Sequence, residues 1–309
     1  MSGKAKVFTD GSAGTTGLKI VSRLRERDDV ELITLSDDKR KDTEERRKAI
    51  NAADIAFLCL PDDAAREAVS MSDGSTVIID TSTAHRTEER FAYGFAELSE
   101  KHRDKIKNSK YIAVPGCHAS GFIALIYPLC ESGVIKKDIN LSCFSLTGYS
   151  GGGKKMIAEY ESDDRSTFLS SPRQYGISQT HKHLKEMVKI SGIEKAPVFC
   201  PTVADFYSGM EVTVPLFKSD VSVGIEEIKK IYSEKYNSDI VFYLEDNENG
   251  FLASNKMSGK DSMQIAVYGN DERMILTARY DNLGKGASGA AVECMNIALG
   301  ADDKKGLVL

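Results

Sequence analysis

The chain has 309 residues, 41% of them hydrophobic and 28% charged, the composition of a soluble globular protein long enough for about two domains. A net charge of −5, with lysines and arginines interspersed among acids, excludes a basic nucleic-acid-binding stripe and favours small-molecule partners. No apolar run approaches the roughly 18 to 20 residues that cross a bilayer, and no secretory pattern opens the chain, so no membrane attachment and a cytoplasmic location are expected.

In chain order, residues 1–9 run straight into a strand centred on residues 5–8. A glycine-rich turn, DGSAGTTG at residues 10–17, and an amphipathic helix through Leu18, Ile20, Val21 and Leu24 follow. Strand, glycine turn and helix form the first unit of a dinucleotide fold. Further strands are predicted at 31–35, 54–60 and 76–80, with a charge-rich stretch at 37–48 and a helix from Asp62, a spacing that means a parallel sheet. Beyond Gly116 an apolar helix at 122–129 leads into alternating segments at 140–147, 211–217, 240–244, 262–268 and 274–280, which predict a mixed or antiparallel sheet. A small-residue helix at 286–299 closes the chain and is expected to return to the first domain. The fold class is therefore an α/β Rossmann-type dinucleotide-binding domain plus an α+β catalytic domain. The predicted division is 1–116 with 284–309, and 117–283.

Gly11, Gly14 and Gly17, with Thr15 and Thr16 opening the helix, suit a pyrophosphate held on backbone N–H groups at a helix N-terminus. The GxxGxxG spacing is weak alone and gains from standing between the first strand and helix. About 20 residues on, Asp37 and Asp38 suit ribose hydroxyls, whereas Ser36, Lys39 and Arg40 suit a 2′-phosphate; local chemistry leaves NAD and NADP open.

Six cysteines lack any CxxC pairing, so neither a metal site nor a disulfide framework is indicated. Cys117, in VPGCHASG, stands at the start of the apolar helix, where the helix dipole and free N–H groups stabilise a thiolate; Cys59, Cys130, Cys143 and Cys294 read as structural, and Cys200 is left undecided. A nucleophilic thiol needs a proton partner. Of five histidines, His118 is discounted because helix neighbours point some 100° apart, and His102 reads as bland. His181 and His183, in QTHKH, are the candidates. Arg86, in DTSTAHR after a buried strand, suits phosphate or carboxylate, with the Ser82 and Thr83 hydroxyls beside it.

Four segments, DGSAGTTG at 10–17, DTSTAHR at 80–86, VPGCHASG at 114–121 and KGASGAAVECMN at 285–296, together resemble the short form of the N-acetyl-gamma-glutamyl-phosphate reductases, relatives of the aspartate-semialdehyde dehydrogenases. The resemblance implies an NADP(H)-binding domain, an oligomerising catalytic domain giving a homodimer or homotetramer, Cys117 as nucleophile and His181 as acid/base with His183 nearby. It also implies Arg86 for the substrate phosphate, with Ser82, Ser150 and Lys154 as further substrate contacts and Ser82 shared with the cofactor. The strand-end motif reads TAHR where longer members have ADFR, so contacts at His85 do not transfer. The implied chemistry is attack on an acyl phosphate, a thioester, and its reduction to an aldehyde in arginine biosynthesis. An aspartyl-phosphate reductase, a cofactor-independent cysteine hydrolase or acyltransferase, and a non-catalytic dinucleotide-binding protein are the alternatives.

Overall fold

A computed structural model describes residues 3–309; Met1 and Ser2, where the expected run into the first strand begins, lie outside it. The chain divides into two compact units, Met1–Pro115 with Ala287–Leu307, and Gly116–Gly286 with Val308–Leu309. The last two residues join the second unit because Asp261 and Val308 pair, the Asp261 N–H donating to the Val308 carbonyl at 2.6 Å and the Val308 N–H to the Asp261 carboxylate at 2.8 Å.

The first unit alternates strands and helices: β1 (Ala5–Asp10), α1 (Thr15–Arg25), β2 (Val30–Ile33), α2 (Thr43–Ala52), β3 (Ile55–Leu58), α3 (Asp62–Met71), β4 (Val77–Asp80), β5 (Ala92–Tyr93), α4 (Glu100–Asn108) and β6 (Tyr111–Ala113). All pairings are parallel, in the order β2-β1-β3-β4-β6-β5. Period-two alternation sends Val7 to one face, with Ile20, Leu24, Phe57, Ile79 and Ile106, and Phe8 to the other, with Ile50, Leu58, Ala68 and Ile78. Both faces are thus covered, as a parallel sheet requires. The order reverses between β1 and β3, and loops at the carboxyl ends of strands flanking such a switch point are where open α/β sheets bind ligands.

The charge-rich stretch sorts into an exposed turn and α2, whose N-cap Asp42 accepts from the Glu44 and Glu45 N–H groups at 2.9 Å.

The second unit begins with α5 (Cys117–Glu131), five residues earlier than the apolar run predicts. It continues with β7 (Ser142–Gly148), α6 (Gly153–Tyr160), β8 (Arg173–Gln174), α7 (His183–Ser191), β9 (Val198–Ala204), β10 (Met210–Phe217), α8 (Ile225–Lys235), β11 (Val241–Tyr243), β12 (Met263–Gly269) and β13 (Arg273–Tyr280). Its seven-stranded sheet, β11-β12-β13-β10-β7-β9-β8, mixes antiparallel ladders with the parallel pairs β7–β9 and β11–β12. After β13 a π-helical turn, Gly284–Ser288, leads to α9 (Gly289–Leu299), whose Ala291 and Met295 belong to the core of the first unit.

Helix α5 is apolar nearly all round, so it is buried by neighbours on several sides, with α7 and α8 against it and the sheet beneath. Pro128 lacks the N–H that would bond the Ala124 carbonyl; the Tyr236 hydroxyl donates to that carbonyl at 2.8 Å, and Tyr232 serves Leu125 in the same way. The sheet face away from α5 carries Phe144, Leu146, Cys200, Pro215, Phe217 and Ile275 in adjacent registers.

Candidate active site

Gly11 closes β1 with φ +80, and a Cβ there would lie 2.2 Å from the Cys59 carbonyl oxygen, so only glycine lets this loop lie across the end of β3. Gly14 caps α1, Thr15 and Thr16 form its first turn, and a Cβ at Gly17 would meet the Gly11 carbonyl at 2.5 Å. This cradle leaves the helix N-terminus open to an anion, the fit a dinucleotide pyrophosphate needs. Behind it the buried Asp10 carboxylate accepts from Arg46 Nε at 3.0 Å; burial pushes the Asp10 carboxyl above its ordinary range, with Arg46 pulling it back.

Ser36, Lys39 and Arg40 lie on the turn after β2, where Lys39 and Arg40 both bond the Ser36 carbonyl through their backbone N–H groups. Their side chains pair with Glu45 at 3.3 Å and Asp37 at 3.2 Å on the exposed surface, interactions weak enough for a phosphate to displace.

At the end of β4, Ser82 gives both of its donors to Asp80, the N–H at 2.9 Å and the hydroxyl at 2.7 Å. The Ser82 hydroxyl is thus engaged within the strand-end turn, its oxygen also accepting from the Ala84 N–H at 3.1 Å. Thr83 likewise turns its hydroxyl to Asp62 at 2.5 Å. His85 is buried, bonded to Asp80 at 2.7 Å and stacked on Phe91. The Arg86 guanidinium is set by the Val114 and Thr81 carbonyls at 2.9 and 3.0 Å.

In the second unit Cys117 is the first residue of α5, half-buried behind the N-cap Gly116. The other thiols differ. Burial pushes Cys59 up to about 12 and raises Cys143 and Cys130. Around the start of α5 the chain gathers three imidazoles: His181 lies 4.6 Å from His183 and 5.8 Å from His118 between ring centroids, with Phe199 packed on both His118 and His181. The His183 N–H donates to His181 Nδ1 at 3.2 Å, which places the proton of a neutral His181 on Nε2. Glu186, one turn into α7, accepts from the Gly116 N–H at 3.1 Å and lies 3.9 Å from His183 Nε2, tying α7 to the approach to the thiol.

His118, set aside on the sequence, belongs to this cluster. Its two nitrogens bond Ser145 Oγ and the Tyr175 hydroxyl, each at 2.6 Å, and burial, then the charge of His181, pushes its pKa down to about 3, so it stays neutral. Burial and then the Cys117 charge raise the Tyr175 phenol. Its place next to Cys117 in the sequence does not keep it from the ring contacts of this cluster. Tyr175 and Ser145 carry no local signal, since strand pairing alone brings them here. Glu186 does: an acid three residues after His183 in a helix's first turn.

Ser150 is buried and accepts from Asn282 Nδ2 at 3.0 Å, whereas Lys154 is exposed on α6. Among the described residues no group of His, Cys, Asp and Glu side chains is placed to hold a metal ion, and no helix is long and apolar enough to cross a membrane.

A parallel dinucleotide-binding sheet and a second, mixed sheet presenting a helix-borne thiol beside histidines define the class as a dinucleotide-dependent oxidoreductase. Residues 7–108 match the family model described as semialdehyde dehydrogenase, NAD binding domain, and residues 117–282 the one described as semialdehyde dehydrogenase, dimerisation domain. The chain belongs to the semialdehyde dehydrogenase family. It is similar to N-acetyl-gamma-glutamyl-phosphate reductase 2 of Nostoc sp., 42% identical with 98% of this chain and 99% of that one covered. Its likeness to N-acetyl-gamma-glutamyl-phosphate reductase of Brucella ovis is 43% identity, covering 96% and 99%. Among solved structures, aspartate semialdehyde dehydrogenase II of Vibrio cholerae, complexed with ASA, superposes with a TM-score of 0.71 at 15% identity, covering 96% of this chain and 99% of that one. Aspartate semialdehyde dehydrogenase with NADP from Candida albicans superposes with a TM-score of 0.66, also at 15% identity and the same coverage. At that identity the structures share the fold.

Proposed function

We propose that the chain catalyses NADPH-dependent reduction of N-acetyl-L-glutamyl 5-phosphate to N-acetyl-L-glutamate 5-semialdehyde and phosphate, the reductive step of arginine biosynthesis, in the cytoplasm. The observation that carries the chemistry is Cys117 at the open N-terminus of α5 beside the His118–His181–His183 cluster. The substrate follows the reductases to which the chain is 42–43% identical over nearly its whole length.

The Cys117 sulfur attacks the acyl carbon; an S–C bond forms, and the C–O bond to phosphate breaks, its electron pair leaving with the phosphate. NADPH, when bound, supplies the hydride that reduces the thioester. His181, its tautomer set by the His183 N–H, delivers the proton from Nε2 and takes one back as the S–C bond breaks to release the aldehyde. His183 and Glu186 hold the approach to the thiol, and Arg86, fixed by two carbonyls, takes the substrate phosphate, with Ser150 and Lys154 as outer contacts. Gly11–Gly17 and the start of α1 would hold the pyrophosphate, and Ser36, Lys39 and Arg40 a 2′-phosphate.

The test is the reverse reaction, following NADPH absorbance with N-acetylglutamate semialdehyde, phosphate and NADP. Phosphate-dependent formation is expected. Activity with aspartate semialdehyde alone moves the substrate to the sister enzymes, and silence with both leaves a dinucleotide-binding protein.

The same reading assigns the open sheet face to a second copy of the chain, as the interface of a homodimer. Phe144 is 52% exposed, Phe217 61% and Ile275 38%, yet they sit in neighbouring registers of β7, β10 and β13, a contiguous patch of a kind monomers rarely leave bare. Phe144→Glu is expected to halve the mass found by sedimentation; an unchanged mass places the interface elsewhere.

A further inference from the structure

Tyr280, the last residue of β13, is fully buried; its hydroxyl donates to the Cys117 carbonyl and accepts from the Gly121 N–H at 2.9 Å. Residues 117 and 121 are four apart, the spacing of an α-helical hydrogen bond, so the hydroxyl stands at the second such position of α5, next to the Ser120 N–H bond to the Gly116 carbonyl at 2.8 Å. It fits because position 121 is glycine: a Cβ there would come within 2.7 Å of the hydroxyl and 2.6 Å of Val212 Cγ2. That accounts for a residue of poor helix propensity inside a long buried helix.

A trans peptide directs its N–H and C=O oppositely. The carbonyl that Tyr280 holds belongs to the peptide joining Cys117 to His118, so anchoring it fixes the line of the His118 N–H, which points out of the helix start where no helical carbonyl reaches. The His118 side chain is itself held at both nitrogens, by Ser145 and Tyr175. We propose that Tyr280 is a positioning residue which, through the Cys117 carbonyl, aims the His118 N–H at the oxyanion formed when an acyl group joins Cys117. The proposal rests on Cys117 being the nucleophile. As the S–C bond forms, the carbonyl π pair moves onto oxygen, where a preset N–H donor stabilises it; the pair returns as the bond to phosphate breaks.

Tyr280→Phe tests this. Without the hydroxyl, the Cys117 carbonyl and Gly121 N–H can close on each other as an ordinary helical bond, so the fold is retained while the peptide tilts. The expected result is a kcat lower by about 10- to 100-fold with KM within about threefold, because a donor needed only at the transition state is misaimed. Iodoacetamide labelling of Cys117, read by mass spectrometry of its peptide, should keep the wild-type rate. Gly121→Ala, which displaces the hydroxyl instead of deleting it, should lower kcat in the same way. An unchanged kcat in either variant overturns the proposal. So does a loss of kcat accompanied by equal losses of labelling rate and melting temperature, which makes the hydroxyl a structural bond only. If wild-type Cys117 resists labelling and Cys117→Ser keeps its turnover, the nucleophile reading fails and this proposal goes with it.

Discussion

Cys117→Ser is expected to lower phosphate-dependent NADPH formation by about 10⁴-fold or more, while leaving the fold and cofactor binding in place. The two side chains are nearly isosteric, and serine is well tolerated at the start of a helix, so α5 should begin as before. The loss has two chemical sources. A serine hydroxyl is far harder to ionise than a thiol, so the attacking anion is scarce even at the helix N-terminus. Any acyl-enzyme that did form would be an oxygen ester, whose carbonyl is a poorer hydride acceptor than a thioester. The measurement is turnover with N-acetylglutamate semialdehyde beside a melting curve and an NADP titration of the same preparation. Turnover within about tenfold of wild type, with the other two intact, would sink the covalent route and with it the roles given to His181 and His183.

The readable parts of this molecule are those whose chemistry is local. The glycine turn announces itself because Gly11 must pass over the end of β3, and the thiol because Pro-Gly-Cys precedes an apolar run; both signals lie within eight residues. The alternating strands of the second unit were legible for the same reason, each carrying its period-two pattern in its own sequence, from Met210–Phe217 to Arg273–Tyr280. Strand β9 escaped although Phe199 and Val203 mark its buried face; Pro201 stands within it as Pro215 stands within β10. Helix α8 escaped although Ile225, Ile228 and Tyr232 mark its buried face and Glu226 and Glu227 its first turn. What no local pattern can carry is convergence. Ser145 and Tyr175 reach His118 only through the pairing of β7 with β9 and of β9 with β8, and Tyr280 reaches Cys117 from 163 residues away. The engagement of Ser82 with Asp80 was not read either, although that partner is local. A serine two residues after a buried aspartate reads as an available hydroxyl until the turn folds it back on that aspartate.

Arg46→Leu is expected to destabilise the first unit by about 3–5 kcal/mol at neutral pH, the range for removing one partner of a buried ion pair. Arg46 reaches from α2 to the Asp10 carboxylate through Nε at 3.0 Å and Nη2 at 2.9 Å, with both side chains under a tenth exposed; its third contact, Glu67, is half in solvent and contributes little. The folded-state pKa of Asp10 is already raised by burial even with Arg46 in place, so the ionised carboxylate is disfavoured relative to the unfolded chain. For a carboxyl raised in this sense the penalty is absent while both states are protonated, below the unfolded value, grows as pH rises toward the folded value, and is complete above it. Removing the guanidinium raises the folded value further and deepens that penalty, so the Arg46→Leu variant should lose most stability at pH 7 and progressively less on acidification toward the unfolded carboxyl value of about 3.9. Denaturant unfolding at neutral and mildly acidic pH reads this directly, and Asp10→Asn added to Arg46→Leu should recover a large part of the loss by removing the stranded charge. The consequence reaches function through the backbone: the Asp10 carbonyl accepts from the Cys59 N–H at 2.8 Å, and Gly11 lies against the Cys59 carbonyl, so a displaced Asp10 carries the glycine cradle with it. Weaker NADP binding should therefore accompany the lost stability and return with the double variant. A single variant costing under about 1 kcal/mol, equally at both pH values, would show that solvent already neutralises Asp10 and that the cradle is held by its glycines alone.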